Sequence, residues 1–98
     1  MLLFVYGSLK RGARHHDEIA GVPFLGQTRT AARYGLTQHG EYPGLVPGAE
    51  TVAGELYEVS SEHLARLDEF EGCPEYFRRS PVVLEDGREA MAYFAADV

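Results

Sequence analysis

Apolar residues fill every position from Leu2 to Tyr6 before Gly7-Ser8 interrupts them, which predicts a short buried strand. Arg14 to Ala20 predicts a short helix. From Val22 to Gly48 the pattern weakens, because Gly26, Gly35, Gly40, Gly44 and Gly48 with Pro23, Pro43 and Pro47 punctuate it every few residues. Such spacing suits short strands joined by bends. Phe24-Leu25 and Arg33 to Thr37 read as strand pieces, and Tyr42 to Gly48 as a loop with a short extended centre. Thr51 to Val59 is rich in β-forming residues, and Gly54 within it signals a bulge or a close backbone approach.

Ser60 then supplies an N-cap for an amphipathic segment that ends near Glu71. Gly72 is a natural residue to follow the last helical turn, and Pro74 forbids continuation. Tyr76 to Leu84 predicts a strand, with Pro81 marking an edge or bulge. Asp86-Gly87 signals a tight hairpin, and Glu89 to Ala95 is the return strand. The sum is six or seven short strands and two short helices in one α+β domain over residues 1–98, most simply a small curled sheet or barrel with helices against it.

Composition narrows the function classes. The chain has 98 residues, enough for one modest core. Its formal charge of −6 argues against a nucleic-acid surface and gives no attraction to anionic membranes. The apolar run at the N-terminus is too short for a signal peptide or a membrane span. A single cysteine, Cys73, rules out an internal disulfide and points to a reducing, cytoplasmic compartment. Oligomeric state stays open between a monomer and a small homo-oligomer.

Candidate chemistry centres on Leu67-Asp68-Glu69-Phe70-Glu71-Gly72-Cys73-Pro74. Leu64, Leu67 and Glu71 stand at i, i+3 and i+7, so a carboxylate closes an otherwise apolar helix face. A helix end can also fray and turn that side chain outward. Turned inward, the carboxylate is disfavoured in its charged form by burial and by the negative end of the helix dipole. Those conditions suit an acid or base near neutral pH. At the other end of the chain, the turn after Tyr6 exposes backbone N–H groups beside Lys10, Arg11 and Arg14, an arrangement able to receive an anion or to stand as a plain solvated turn. Its spacing is not that of a Walker-type phosphate loop. His15 and His16 are adjacent, so they point apart and make a poor metal pair. Glu55 and Glu58 fall on opposite faces of their strand, so at least one should be exposed. Cys73 reads as a turn residue rather than a thiolate. Tyr42 and Tyr93 are possible pocket walls, with ordinary packing the alternative for each.

Three stretches resemble the γ-glutamylcyclotransferase-like (AIG2-like) family, closest to its γ-glutamylamine cyclotransferase branch. They are Phe4-Val5-Tyr6-Gly7-Ser8-Leu9-Lys10-Arg11-Gly12, Gly54-Glu55-Leu56-Tyr57-Glu58-Val59, and Leu67 to Pro74 followed by Tyr76. The resemblance implies a compact mixed β-barrel with flanking helices. It implies Glu71 as the catalytic acid/base, and Tyr6, Gly7, Ser8 and Leu9 as the turn holding the glutamyl part of the substrate. The implied reaction is cyclisation of a γ-glutamyl amine or γ-glutamyl amino acid to 5-oxoproline with release of a free amine, without metal or organic cofactor. The residues leave two other uses of such a site open. One is a non-catalytic binding module for a γ-glutamyl or carboxylate metabolite, and the other is a biosynthetic γ-glutamyl deprotection enzyme.

Overall fold

The computed structural model describes residues 1–7, 9–39, 42–73 and 75–96. Its strands are β1 (Leu2–Val5), β2 (Phe24–Arg29), β3 (Tyr34–His39), β4 (Tyr42–Pro47), β5 (Ala53–Glu58), β6 (Phe77–Val83) and β7 (Glu89–Ala95), with one α-helix, α1 (Ser61–Phe70). They form a single sheet in the order β2-β5-β1-β7-β4-β3, and β6 pairs with β7 off that path. Strand β7 runs parallel to β1 and to β4, and the other pairs are antiparallel. Beyond the ends of β2 and β6, Thr30 bridges Leu84, the Ala31 N–H donates to Val83 and the Glu85 N–H donates to Arg29. These bonds curl the sheet into a half-barrel.

The apolar run at β1 reflects burial on both faces, as expected for a central strand. Leu3 and Val5 join Leu9, Ile19, Tyr57, Leu64, Leu67, Phe77 and Tyr93 in a core between sheet and helix. Phe4 points the other way, into a second core with Leu45, Val52, Leu56, Val82 and Leu84 inside the curl. Gly54 has no side chain because none fits: a Cβ there would lie 2.4 Å from the Val5 carbonyl oxygen and 2.6 Å from the Phe4 ring. Of its two expected meanings, the close backbone approach is the one present.

Two expectations are corrected. Instead of a second α-helix, Arg14 to Ala20 contains one turn of 3-10 helix, His16–Ile19. Ile19 is its single buried residue and no side chain caps its start, so little holds a longer helix in place. The stretch from Tyr42 is not a loop but strand β4, paired with β3 from Tyr34↔Pro47 to His39↔Tyr42. Its prolines are tolerated because β4 meets its other neighbour, β7, only at Leu45↔Phe94, so few ladder bonds are asked of that side.

Candidate active site

Helix α1 starts and stops on side-chain and backbone signals written locally. Ser60 accepts the His63 N–H at 3.0 Å, satisfying one of the unpaired donors of the first turn. At the other end Glu71 keeps a helical backbone (φ −78°, ψ −6°). Gly72 then turns left-handed at φ +69°. The Gly72 N–H donates to Glu69 and the Cys73 N–H to Asp68, at 3.1 and 2.9 Å, the paired bonds of a Schellman stop. The Tyr76 ring lies over Gly72, where a Cβ would come within 2.6 Å of it. The helix end is therefore held, and Glu71 sits half-buried rather than frayed outward.

Burial pushes the Glu71 carboxyl from 4.5 up to about 7. Among the described residues no hydrogen bond or ion pair offsets that burial, so desolvation acts unopposed. Tyr6 lies near enough to feel its charge. Burial holds the Tyr6 phenol far above its ordinary value, the Leu45 N–H works against this, and the Glu71 charge adds to it.

The position of Tyr6 follows from the topology. Strand β7 pairs with β1 at Leu3↔Met91 and with β4 at Leu45↔Phe94, so β1 and β4 part beside it. The Tyr6 hydroxyl fills that split, donating to the Tyr93 carbonyl and accepting the Leu45 N–H at 2.9 Å. Gly7 packs against Pro43, whose Cγ would lie 3.3 Å from a Cβ at that position. The Lys10 N–H returns to the Gly7 carbonyl at 3.1 Å. Among the described residues, the N–H groups of Gly7 and Leu9 have no protein partner. The Leu9 side chain is buried in the core, so only its backbone is available to a ligand. Ser8 lies outside the described residues.

The two tyrosines considered as pocket walls part company. Tyr42 stacks obliquely on His15 at 5.7 Å, and His15 meets Phe70 edge-on at 5.1 Å. Since Pro43 touches Gly7 and Phe70 precedes Glu71, these contacts join the turn to the helix end through an aromatic chain. Tyr93 is 3% exposed and donates to Asp68 at 2.8 Å, with Arg79 3.4 Å away on the far oxygen of Asp68. Its side chain braces the helix, and only its carbonyl reaches the Tyr6 hydroxyl. Burial, and then the Asp68 charge, raise the Cys73 thiol above its ordinary value, so it is not a thiolate.

Residues that the sequence left without a site role hold the chain just after the turn. Glu55 is buried and Glu58 exposed. Glu55 accepts the Arg11 N–H at 2.8 Å and the Tyr57 hydroxyl at 3.0 Å. Burial opposes its ionisation, yet the bonds from Arg11 and Tyr57 together hold its carboxyl below the usual range. His15, Pro43 and Phe70 carried no sequence signal beyond aromatic or proline character. Glu55 carried one: it shares a strand face with Tyr57, two residues away. Among the described residues no group of three or more His, Cys, Asp or Glu side chains is placed to hold a metal, and no helix is long and apolar enough to cross a membrane.

Residues 3–98 match the family model "Gamma-glutamyl cyclotransferase, AIG2-like". The gamma-glutamylaminecyclotransferase of Rattus norvegicus is 42% identical over 88 residues, covering 80% of this chain and 59% of its own. The gamma-L-glutamyl-butirosin B gamma-glutamyl cyclotransferase of Niallia circulans is 41% identical over 75 residues, covering 76% of this chain and 46% of its own. The chain thus spans about half to three-fifths of these two relatives. The crystal structure of an AIG2-like protein from Mus musculus superimposes with a TM-score of 0.84 at 29% identity, covering 99% of this chain and 78% of that one.

Proposed function

The chain belongs to the gamma-glutamyl cyclotransferase, AIG2-like family, and on that premise we propose that it cyclises a γ-glutamyl amine or γ-glutamyl amino acid to 5-oxoproline. The observation that carries this reading is Glu71: a desolvated carboxyl, raised to about 7, at a firmly stopped helix end and within electrostatic reach of Tyr6. A group titrating near the working pH accepts and returns a proton with similar ease.

The substrate brings its own nucleophile. Its α-amino nitrogen attacks the γ-carbonyl carbon and forms the five-membered ring, the carbonyl electrons moving to oxygen. The tetrahedral adduct then expels the amine as the old C–N bond breaks. The attacking nitrogen sheds two protons, one as the ammonium becomes an amine and one as the ring N–H forms, and the departing nitrogen takes up two and leaves as an ammonium. Glu71 relays them in turn, so no proton is lost or gained overall. Holding the amine against the carbonyl supplies up to roughly 7–11 kcal/mol in favourable intramolecular cases. The N–H groups of Gly7 and Leu9, without a protein partner among the described residues, bind the substrate's negative charge, the α-carboxylate or the developing oxyanion. Neither a serine nor a cysteine nucleophile is required. A free Cys73 suits a reducing compartment such as the cytoplasm.

The relative named for gamma-L-glutamyl-butirosin B favours a second reading, removal of a γ-glutamyl group from a larger biosynthetic intermediate by the same chemistry. Mass spectrometry decides among γ-glutamyl-ε-lysine, γ-glutamyl amino acids, γ-glutamyl alkylamines and γ-glutamyl aminoglycosides. The expected result is 5-oxoproline and free amine in equal amounts from wild type and not from Glu71→Gln. Equal product from both proteins would remove Glu71 from the mechanism.

A further inference from the structure

The turn after β1 is fastened at both ends by one residue. Glu55 pairs through its backbone with Val5, the last residue of β1. Its side chain then reaches past the turn to accept the Arg11 N–H at 2.8 Å and faces the Arg11 Nε at 3.4 Å. The Tyr57 hydroxyl, 3.0 Å from the same oxygen that takes the Arg11 N–H, fixes the rotamer from below. The guanidinium rests on the Phe24 ring, 3.9 Å from its centroid. Only 6% of Glu55 is exposed, while the Arg11 side chain is half in solvent. A buried carboxylate with this many donors serves something beyond a surface ion pair.

We infer that Glu55 is a positioning residue for substrate binding: it sets the spacing of the turn that presents the Gly7 and Leu9 N–H groups. The essential contact is the backbone one. An oxygen acceptor opposite the Arg11 N–H ties Arg11 to the strand residue that pairs with Val5, and the guanidinium is secondary. This deepens the cyclotransferase reading and rests on it. Glu55 itself touches no reacting atom and exchanges no proton with the substrate.

The distinction between acceptor and charge makes the test. Glu55→Met keeps the length of the side chain and offers no oxygen, whereas Glu55→Gln keeps an oxygen able to accept both Arg11 and Tyr57. With the γ-glutamyl compound the wild type turns over best, Glu55→Met should raise KM by about tenfold or more, leave kcat within about threefold, and keep the acid limb of the pH profile near neutral. Glu55→Gln should restore KM to within about threefold of wild type. Wild-type KM in Glu55→Met would overturn the inference. So would a Gln variant as impaired as Met with a displaced acid limb, since Glu55 would then act through its charge or its proton.

Amide hydrogen exchange of the wild type reads the clamp without any variant or substrate. The Arg11 amide should be protected like those of β1, and free exchange there would overturn the inference even if the variants fail to fold. If the wild type turns over no γ-glutamyl compound, the functional reading falls. Arg11 protection would then still report on the clamp alone.

Discussion

Glu55 and Glu71 are the same residue type, both withdrawn from water, and their carboxyls move in opposite directions. Glu55 lies within β5 under three donors from Arg11 and Tyr57, and stays ionised. Glu71 lies at the helix end with only its burial, and rises to about 7. Burial alone does not set the state of a carboxylate; the supply of donors does. The provided-for carboxylate fixes the backbone at Arg11. The unprovided one keeps a proton within reach at neutral pH. On the proposed function, structure falls to one glutamate and reactivity to the other.

The largest effect that sharpens this contrast is on turnover. Glu71→Gln should lower the rate of 5-oxoproline formation by about 10²–10⁴-fold, the span typical of a lost acid–base group, with an unchanged circular dichroism spectrum. A mere binding module would instead show no turnover in wild type. Glu55→Ala should act on stability, costing about 2–4 kcal/mol in chemical denaturation, because the Arg11 N–H and Tyr57 hydroxyl lose their acceptor. A cost near zero would mean water replaces the carboxylate without penalty.

The pH dependence of stability separates the two residues again. The raised value of Glu71 means that the native state holds its proton longer than the unfolded state. Wild type should therefore lose stability as pH climbs from 4.5 to about 7, by up to about 3 kcal/mol, and Glu71→Gln should show none of that loss. Glu55 has the reverse sign. Its stabilising contribution is present above 4.5 and disappears as pH falls through its lowered value. Thermal melts of wild type and Glu71→Gln from pH 4.5 to about 7 check the first, and melts of wild type and Glu55→Gln below pH 4.5 check the second. The smallest effect concerns the brace: Tyr93→Phe should cost about 1 kcal/mol, one hydrogen bond to Asp68, without moving the acid limb of activity.

Local signals made much of the fold legible. The apolar run of β1, the Ser60 cap, the Gly72 stop and the Asp86-Gly87 hairpin all act within a few residues of themselves. Strand β4 escaped because Pro43 and Pro47 are ordinarily strand breakers, and their tolerance depends on a sparse pairing with β7 that no local pattern reveals. Arg14 to Ala20 has helical residues but only Ile19 to anchor them, so the helix shrinks to one turn. Glu71 was legible because Leu64 and Leu67 mark its face. The work of Glu55 was not, because its partner Arg11 stands 44 residues away, and strand alternation tells only which of Glu55 and Glu58 is inside, not what it meets there. Tyr93 had an apolar neighbourhood in sequence, and its bond to Asp68 likewise depends on how α1 docks.

The most direct measurement is an NMR titration of the glutamate side-chain carboxyl carbons, assigned with Glu71→Gln and Glu55→Gln. Glu71 should titrate with a midpoint near 7 while Glu55 stays ionised down to below 4.5. A Glu71 midpoint at the ordinary value of 4.5 would contradict the account, since a solvated carboxylate at that helix end has no reason to hold a proton for the leaving amine.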